Sequence, residues 1–540
     1  MGTNGLVNGE AKVNPDGLPK KHPSALEPGT IILNVIVAAL GAIIGLELIT
    51  RLGISTNTSI VGALIAILIA RIPLNFFRNY KNLNRQNLVQ TAISGATFSA
   101  ANALLLPIGI PYLMGKHELV IPMLIGAALA CITDATILYW SFDTEVFPAQ
   151  GTWPPGIATA EALFAAANKG KKALLLVYGI VGGVIGKVFK IPTDVFGVTW
   201  IGNMAALFMF GLGLIIRGYV PQFFGVDLNK MYLPHGMMIG AGIVALVQII
   251  QKIMQKSQDS AKQKLNCTRT KDELKAGLGK GFVAYMVIAL ILAVIGGLIS
   301  HMSLGMFIAW IIFAAVAAMV SELIVGIAAM HSGWFPAFAT ALIFLVLGML
   351  FGFPAVPLAL LVGFTAATGP AFADMAYDFK AGWVIRGRGQ DPEFEKQGRK
   401  QQYISEAISI IVAVIMVALF YQFYFAKDLF PPVNRVYVAT IEAGTSMAVA
   451  TNLLLWAIPG AIIQLLGGQQ RQLGVLFSTG LLINFPIAGI TVLVGLIIRK
   501  LVIKKYGEEG QNALYVLGAG FITGAALYSF FSSTLRLGKK

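Results

Sequence analysis

Charge is scarce in this chain. Asp, Glu, Lys and Arg fill 12% of its 540 positions, about half the share that soluble domains carry. That excludes an ordinary water-soluble fold. Cysteine is nearly absent: Cys131 sits in an apolar run and Cys267 in a cationic loop, which makes neither a disulfide framework nor a metal-binding pair. Five histidines, one of them His22 in the polar N-terminal stretch, are too few and too scattered for a conventional zinc site. His117-Glu118 opens like a metalloprotease helix, but position 121 is Ile. A phosphate-cradling loop of the G-x-x-x-x-G-K-[ST] type is missing, which argues against ATP hydrolysis. No stretch is long and polar enough for a separate soluble domain. These gaps predict a protein with no metal and no cofactor of its own.

What is present is hydrocarbon. Hydrophobic residues make up 56% of the chain, and the mean hydropathy is +0.76. Apolar runs of about 20 residues, the length that crosses a bilayer as a helix, recur from position 30 to position 533. They predict an all-α integral membrane protein with about 14–16 transmembrane helices. One of these predicted spans is 145–167 and another is the long segment 434–466. Residues 1–29 form a polar tail without the apolar core of a signal peptide, so the first span is expected to be retained.

The net charge of +15 is placed like a topology signal and predicts no nucleic-acid partner. Cations crowd short loops: Arg78, Lys81 and Arg85 in one, the 252–280 stretch in a second, the 380–400 stretch in a third. By the positive-inside rule all three face the cytoplasm, as does the N-terminus. Arg499, Lys500, Lys504 and Lys505 would face outward if 434–466 crosses only once; that segment is long enough for a span plus a half-helix, which leaves parity there open.

Two half-copies are faintly visible. Pro154-Pro155 precedes Ala158-Thr159-Ala160-Glu161-Ala162, and Pro431-Pro432 precedes Ala439-Thr440-Ile441-Glu442-Ala443. The expected organisation is a tail at 1–29, a first half at 30–254, a cytoplasmic loop at 255–278 and a second half at 279–535. Repeats of this kind place binding sites at the interface between halves, near the midplane, on broken helices.

Chemistry, if any, must come from ionisable residues at membrane depth, where each is costly and therefore functional by default. Glu47, Asp134, Glu161, Glu322, Asp374, Glu442, His235, His301 and His331 form that set. Glu47 sits beside Arg51 and reads as an interfacial ion pair. Glu161 and Glu442 lie on helices interrupted by proline or glycine, the best setting for loading a proton or holding a substrate amine. The break His331-Ser332-Gly333-Trp334-Phe335-Pro336 frees backbone groups that can meet a charged terminus. The numerous glycines read chiefly as helix-packing devices.

Four segments in order resemble the oligopeptide transporter (OPT) family, in its prokaryotic branch. They are Gln86-Asn87-Leu88-Val89-Gln90-Thr91-Ala92-Ile93-Ser94-Gly95; Pro154-x-Gly156-x-Ala158-Thr159-Ala160-Glu161-x-Leu163; Ser332-Gly333; and Asp378-Phe379-Lys380-Ala381-Gly382 followed by Arg399-Lys400-Gln401-Gln402. Departures are Pro155 where the family often has Ser, Ala381 where Thr is common, and an added stretch from Arg388 to Gly398. The resemblance implies a proton-driven importer of about 16 helices in a prokaryotic inner (plasma) membrane. Its cargo would be short peptides, peptide-like compounds, or metal complexes of amino-acid-derived chelators, with oligomeric state open. The candidate substrate- and proton-binding set is Glu161, Glu442, Thr159, Gly156, Asp134, Gln90, Ser332, Asp374 and Lys380. Two other classes compete: an integral-membrane lipid-modifying enzyme, which would need a clustered acid, base or metal set at one face, and a passive channel. Glu161→Gln is expected to keep folding and surface expression while abolishing proton-driven uptake; full coupled uptake by this variant would remove Glu161 from the mechanism.

Overall fold

The computed structural model describes residues 21–53, 58–70, 79–168, 171–260, 267–332, 336–444 and 446–537. Among them the regular structure is α-helix, apart from short 3-10 and π turns and a single parallel bridge between Phe142 and Phe147. In hydrocarbon every backbone polar group must be satisfied within its own segment, which leaves the helix as the default. Ten helices are long and apolar enough to cross a bilayer, with four shorter apolar helices beside them. Their outer faces carry Leu350, Leu466, Phe223 and Met447, each exposed as lipid-facing side chains are.

Two expected spans are built differently. The 434–466 segment is two helices, the short Val433–Ala443 and the span-length Met447–Arg471. The 145–167 segment is an irregular loop followed by the helix Pro154–Asn168. Near the C-terminus, Pro486–Leu537 folds at Gly507, where φ is +60° and ψ is −139°. Arg499 lies over the Tyr515 ring at 5.7 Å, so residues eight before and eight after the glycine touch and the two arms form a hairpin. Helices Leu233–Ser260 and Lys271–Ile295 extend into both ends of the expected 255–278 loop.

A large apolar core gathers helices from both sides of that loop, including Leu83–Phe98, Val120–Ser141, Lys271–Ile295, Leu304–Ser332, Pro370–Ile385 and Pro392–Phe425. A second core joins Pro28–Leu52 to Lys171–Val188, Thr193–Ile201, Met204–Phe224 and Pro486–Leu537. Glycine sets the spacing at the periphery: a Cβ on Gly240 would meet Ala457 O at 1.8 Å, and one on Gly460 would meet Met237 O at 2.1 Å. Those backbones touch directly, the close approach that replaces the hydrophobic effect in lipid.

The basic loops converge on one face. Arg399 donates to Phe142 O at 2.9 Å and to the Thr268 hydroxyl, while Thr268 donates to Asp143 at 2.5 Å. Arg85 pairs with Glu27. Arg78 lies outside the described residues. The chain before the first span docks on the same face: Ala25 N–H donates to Gln401 Oε1 at 2.8 Å, and the His22 ring lies 5.4 Å from Phe394. Clustering of these loops on one side is what a shared cytoplasmic face demands.

Burial, with Arg386 next and Arg85 further off, pushes the His22 pKa down to about 3, against a small opposing pull from the Pro23 carbonyl. The Arg85 hydrogen bond holds Glu27 below its usual range. Both folded-state values are depressed. The docking free energy they supply is therefore complete above each unfolded value and lost as pH falls through it towards the folded value. The segment 21–27 should stay protected from hydrogen exchange at pH 7 and lose protection progressively below about pH 6.5, with Glu27 adding to the loss below about pH 4.5. His22→Ala should remove the upper limb of that profile. Protection that is flat from pH 7 to pH 4 would rule the histidine out.

Candidate functional site

The two most buried spans are both interrupted. Leu83–Leu113, with 89% of its apolar window buried, contains a π-helical turn at Ser99–Leu105. Ala355–Ile385, with 94% buried, is broken between Ala367 and Pro370. At the break Gly369 adopts φ +99°, a conformation that favours glycine, and a Cβ there would also strike Val325 at 2.9 Å. Pro370 then starts the second helix at a position where its missing N–H costs nothing.

Between these spans lies a buried polar cluster. Gln86, Asn87, Gln90, Thr91, Ser94 and Thr97, all buried, follow helical spacing along the first turns of Leu83–Phe98. The Ser94 hydroxyl lies within hydrogen-bond reach of both Asp374 oxygens, at 3.0 and 2.9 Å, and Gln90 Nε2 donates to Asp378 Oδ1 at 2.5 Å. Asn87 Nδ2 donates to Gln90 Oε1 at 2.9 Å. Gln402 Nε2 ties the third helix in, donating to Asp378 O at 2.7 Å and Thr91 Oγ1 at 3.2 Å. Glu406 on that third helix is fully buried, and neither of its carboxyl oxygens has a hydrogen-bond partner among the described residues. It lies flat against Gly95, where a Cβ would come within 2.0 Å of Oε2. Three carboxyl groups thus meet around one glycine-lined spot, an arrangement suited to a cationic group or a proton.

A second cluster sits behind the helix break. Asp134 Oδ2 accepts from Gly369 N–H at 2.6 Å, and the Tyr285 hydroxyl reaches Asp134 at 2.5 Å and Glu322 at 2.9 Å. Towards the basic face, Arg386 forms a bidentate pair with Glu395 at 2.8 and 3.0 Å and donates to Gln402 Oε1 at 2.8 Å. This links the surface charges to the cluster. On the opposite face, an open pocket of about 380 Å³ is lined by Tyr112, His117, Tyr421 and Gln422.

The residues expected from sequence fall into three groups. Gln90 and Asp374 belong to the polar cluster and Asp134 to the cluster behind it. Lys380 donates to Ala149 O at 2.7 Å and Gly151 O at 3.0 Å, and a Cβ on Gly156 would meet Tyr377 O at 2.4 Å. These two fasten Pro154–Asn168 to the broken span, and Thr159 back-bonds to Pro155 O at 2.9 Å. Glu161 and Glu442 are exposed and are not brought together with the buried acids; Tyr232 hydrogen-bonds Glu442. Glu47 is buried, paired with Arg51 and accepting from Tyr424 at 3.1 Å. The helix Leu304–Ser332 ends at Ser332; the Ser332 side chain and Gly333–Phe335 lie outside the described residues.

Asp378, Glu406 and Tyr285 are the members that sequence reasoning missed as site residues. A signal existed. Asp374 and Asp378 are four apart on one helix, and Glu395, Arg399, Gln402, Glu406 and Ser409 recur at helical spacing on one face of the helix Pro392–Phe425.

A family model described as OPT oligopeptide transporter protein matches residues 29–249 and 223–536. No curated protein matches the chain.

Arg386 and Glu395 have fully buried side chains. Arg386→Ala should destabilise the protein by about 3–5 kcal/mol, since it strands a buried carboxylate, whereas Arg386→Met with Glu395→Leu should cost far less. Thermal unfolding in detergent measures both. Equal losses would show that the ion pair itself, and not the stranded charge, carries the effect.

Proposed function

The chain belongs to the OPT oligopeptide transporter family, and on that premise we propose that it imports short peptides or peptide-like compounds with protons. It is a multi-pass membrane transporter and not an enzyme. The proposed location is the plasma membrane, a prokaryotic inner membrane in the branch it resembles. The observation that carries the cargo reading is the meeting of Asp374, Asp378 and Glu406 with Gln90 and Ser94 inside the bundle.

The chemistry favours peptides. A peptide brings one ammonium group, which the three carboxyl groups attract, and amides that can exchange hydrogen bonds with Asn87, Gln90 and Ser94. A metal complex of a chelator brings several carboxylates, which the same cluster repels at short range. Chelates are therefore the second cargo class on this scaffold. The proposed roles are amine binding at Asp374 and Glu406, with Asp378 held by Gln90 to shape the site. Lys380 and Gly156 position the broken span. Glu161 and Glu442, the proton carriers expected from sequence, compete for that role with the buried acids.

Sealed proteoliposomes under an imposed inward proton gradient test this reading. Wild-type protein should accumulate free di- to pentapeptides and should transport their N-acetylated forms poorly. Asp374→Asn and Glu406→Gln should each raise the peptide KM about 10- to 100-fold, the range expected for losing a charge-assisted contact. Equal uptake of acetylated and free peptides would remove the amine-binding role, and gradient-driven accumulation of metal only with its chelator would move the assignment to chelates.

A further inference from the structure

Two carboxyl groups share one phenol in the middle of the bundle. Asp134, Tyr285 and Glu322 are each fully buried, and the Tyr285 oxygen lies 2.5 Å from Asp134 Oδ1 and 2.9 Å from Glu322 Oε2. A phenol has a single proton to donate. It can satisfy one carboxyl group; the other makes a hydrogen bond to the phenol oxygen only by bringing a proton of its own. Two ionised carboxylates on one hydroxyl would place like charges together without water, which is strongly disfavoured. The trio therefore holds one exchangeable proton besides the tyrosine's own.

Hydrogen bonding tells where that proton rests. Asp134 accepts the backbone N–H of Gly369 at 2.6 Å and also that of Phe372. Both belong to the start of the 16-residue helix Pro370–Ile385, whose dipole and free amides stabilise an anion. Glu322 has no comparable support. Its Oε1 is buried with no hydrogen-bond partner, and no lysine or arginine pairs with either acid among the described residues. Cys131, three residues before Asp134 on the same helix, feels Asp134, Asp374 and Glu406; none of these groups is a cation. Glu322 is the protonated member and Asp134 the charged one.

We propose that Asp134, Tyr285 and Glu322 form the proton-carrying site of this transporter, with Glu322 holding the proton, Tyr285 passing it and Asp134 receiving it as it releases the start of the helix Pro370–Ile385. This rests on the proton-coupled reading above. In the transfer, the Glu322 O–H breaks as a new O–H forms on Tyr285, and the original Tyr285 O–H breaks as one forms on Asp134. No net charge appears; the negative charge moves from Asp134 to Glu322. A neutral Asp134 no longer attracts the helix N-terminus. That helix carries Asp374 and Asp378, so movement of the proton is felt directly by the cargo cluster.

The test uses purified full-length protein in proteoliposomes and an infrared spectrum of the same samples. At neutral pH the wild type should show the carbonyl band of a protonated carboxylic acid, and Glu322→Gln should remove one component of it. Under a gradient of one pH unit, a one-proton symporter accumulates neutral cargo about tenfold. Glu322→Gln should bring that ratio to one while gradient-free peptide exchange continues. Tyr285→Phe, which keeps both acids and changes one hydroxyl, should shift the band and serves if the glutamate variant does not fold. A wild type that ignores the gradient sinks the coupled reading itself. If the wild type responds to the gradient and Glu322→Gln responds equally, only the trio is overturned. An unchanged infrared band in Glu322→Gln also overturns it, whatever the transport data show.

Discussion

The contact between Asp134 and the amide of Gly369 is the constraint around which the centre of this protein is arranged. Breaking a helix inside a bilayer exposes backbone N–H groups with no water to meet them, at several kcal/mol each. The break after Ala367 is tolerated because a carboxylate from Val120–Ser141 reaches one of those donors at 2.6 Å. Asp134 is costly at that depth, and so is the broken helix, and each relieves the other. Glycine is required at the same point for two reasons: its φ of +99° and the Val325 side chain 2.9 Å from where a Cβ would sit. Tyr285 and Glu322 complete the polar shell from two further helices. Four helices are thus pinned to one break.

The break also fixes the direction of the following helix, and with it the buried acid cluster. Pro370–Ile385 runs from Asp134 towards the basic face, presenting Asp374 and Asp378 to Leu83–Phe98 and ending at Arg386. There Arg386 joins Glu395 and Gln402, and Arg399 continues to Phe142 O and Thr268. A continuous polar line therefore runs from the midplane to the charged surface through hydrogen-bonded groups. In lipid such a line is expensive unless every member has a partner. Glu406 is the conspicuous exception. Its unpartnered oxygens against Gly95 mark where the line has room for something else.

Much of this was legible in the sequence, for physical reasons that can be named. Apolar runs near 20 residues announce spans directly, and the loop cations announce their common face, since both signals are carried by composition. Gln90, from a motif, and Asp374, from the set of ionisable residues at membrane depth, both lie in the buried polar cluster. The Pro-Pro-Gly at 154–156 looked like the functional break because proline is the strongest local signal of irregular backbone. The decisive break, Thr368–Gly369–Pro370, carries one proline in a run that otherwise reads as continuous helix. Its partner Asp134 lies 235 residues away, a distance that no local pattern spans. Glu161 and Glu442 share sequence surroundings with each other, but exposure is a tertiary property, and their helices turn them outward.

The clustering of acids has a further consequence for how such a site can move. Asp374, Asp378 and Glu406 repel one another when ionised, so the two helices that carry them are held close only while protons or a cationic group occupy the space between. An empty, fully charged cluster would favour separation of Pro370–Ile385 from Pro392–Phe425. Gly95 and the π-turn at Ser99–Leu105 put compliant backbone beside that contact, and π-turns inside helices are commonly sites of functional adjustment. The Arg386–Glu395 pair holds the same two helices at the basic face without regard to cargo. Separation would then open the bundle about that fixed end, towards the side where Tyr112 and Tyr421 already line a pocket. Occupancy of the cluster and accessibility of the site are coupled by electrostatics alone, before any particular substrate is specified.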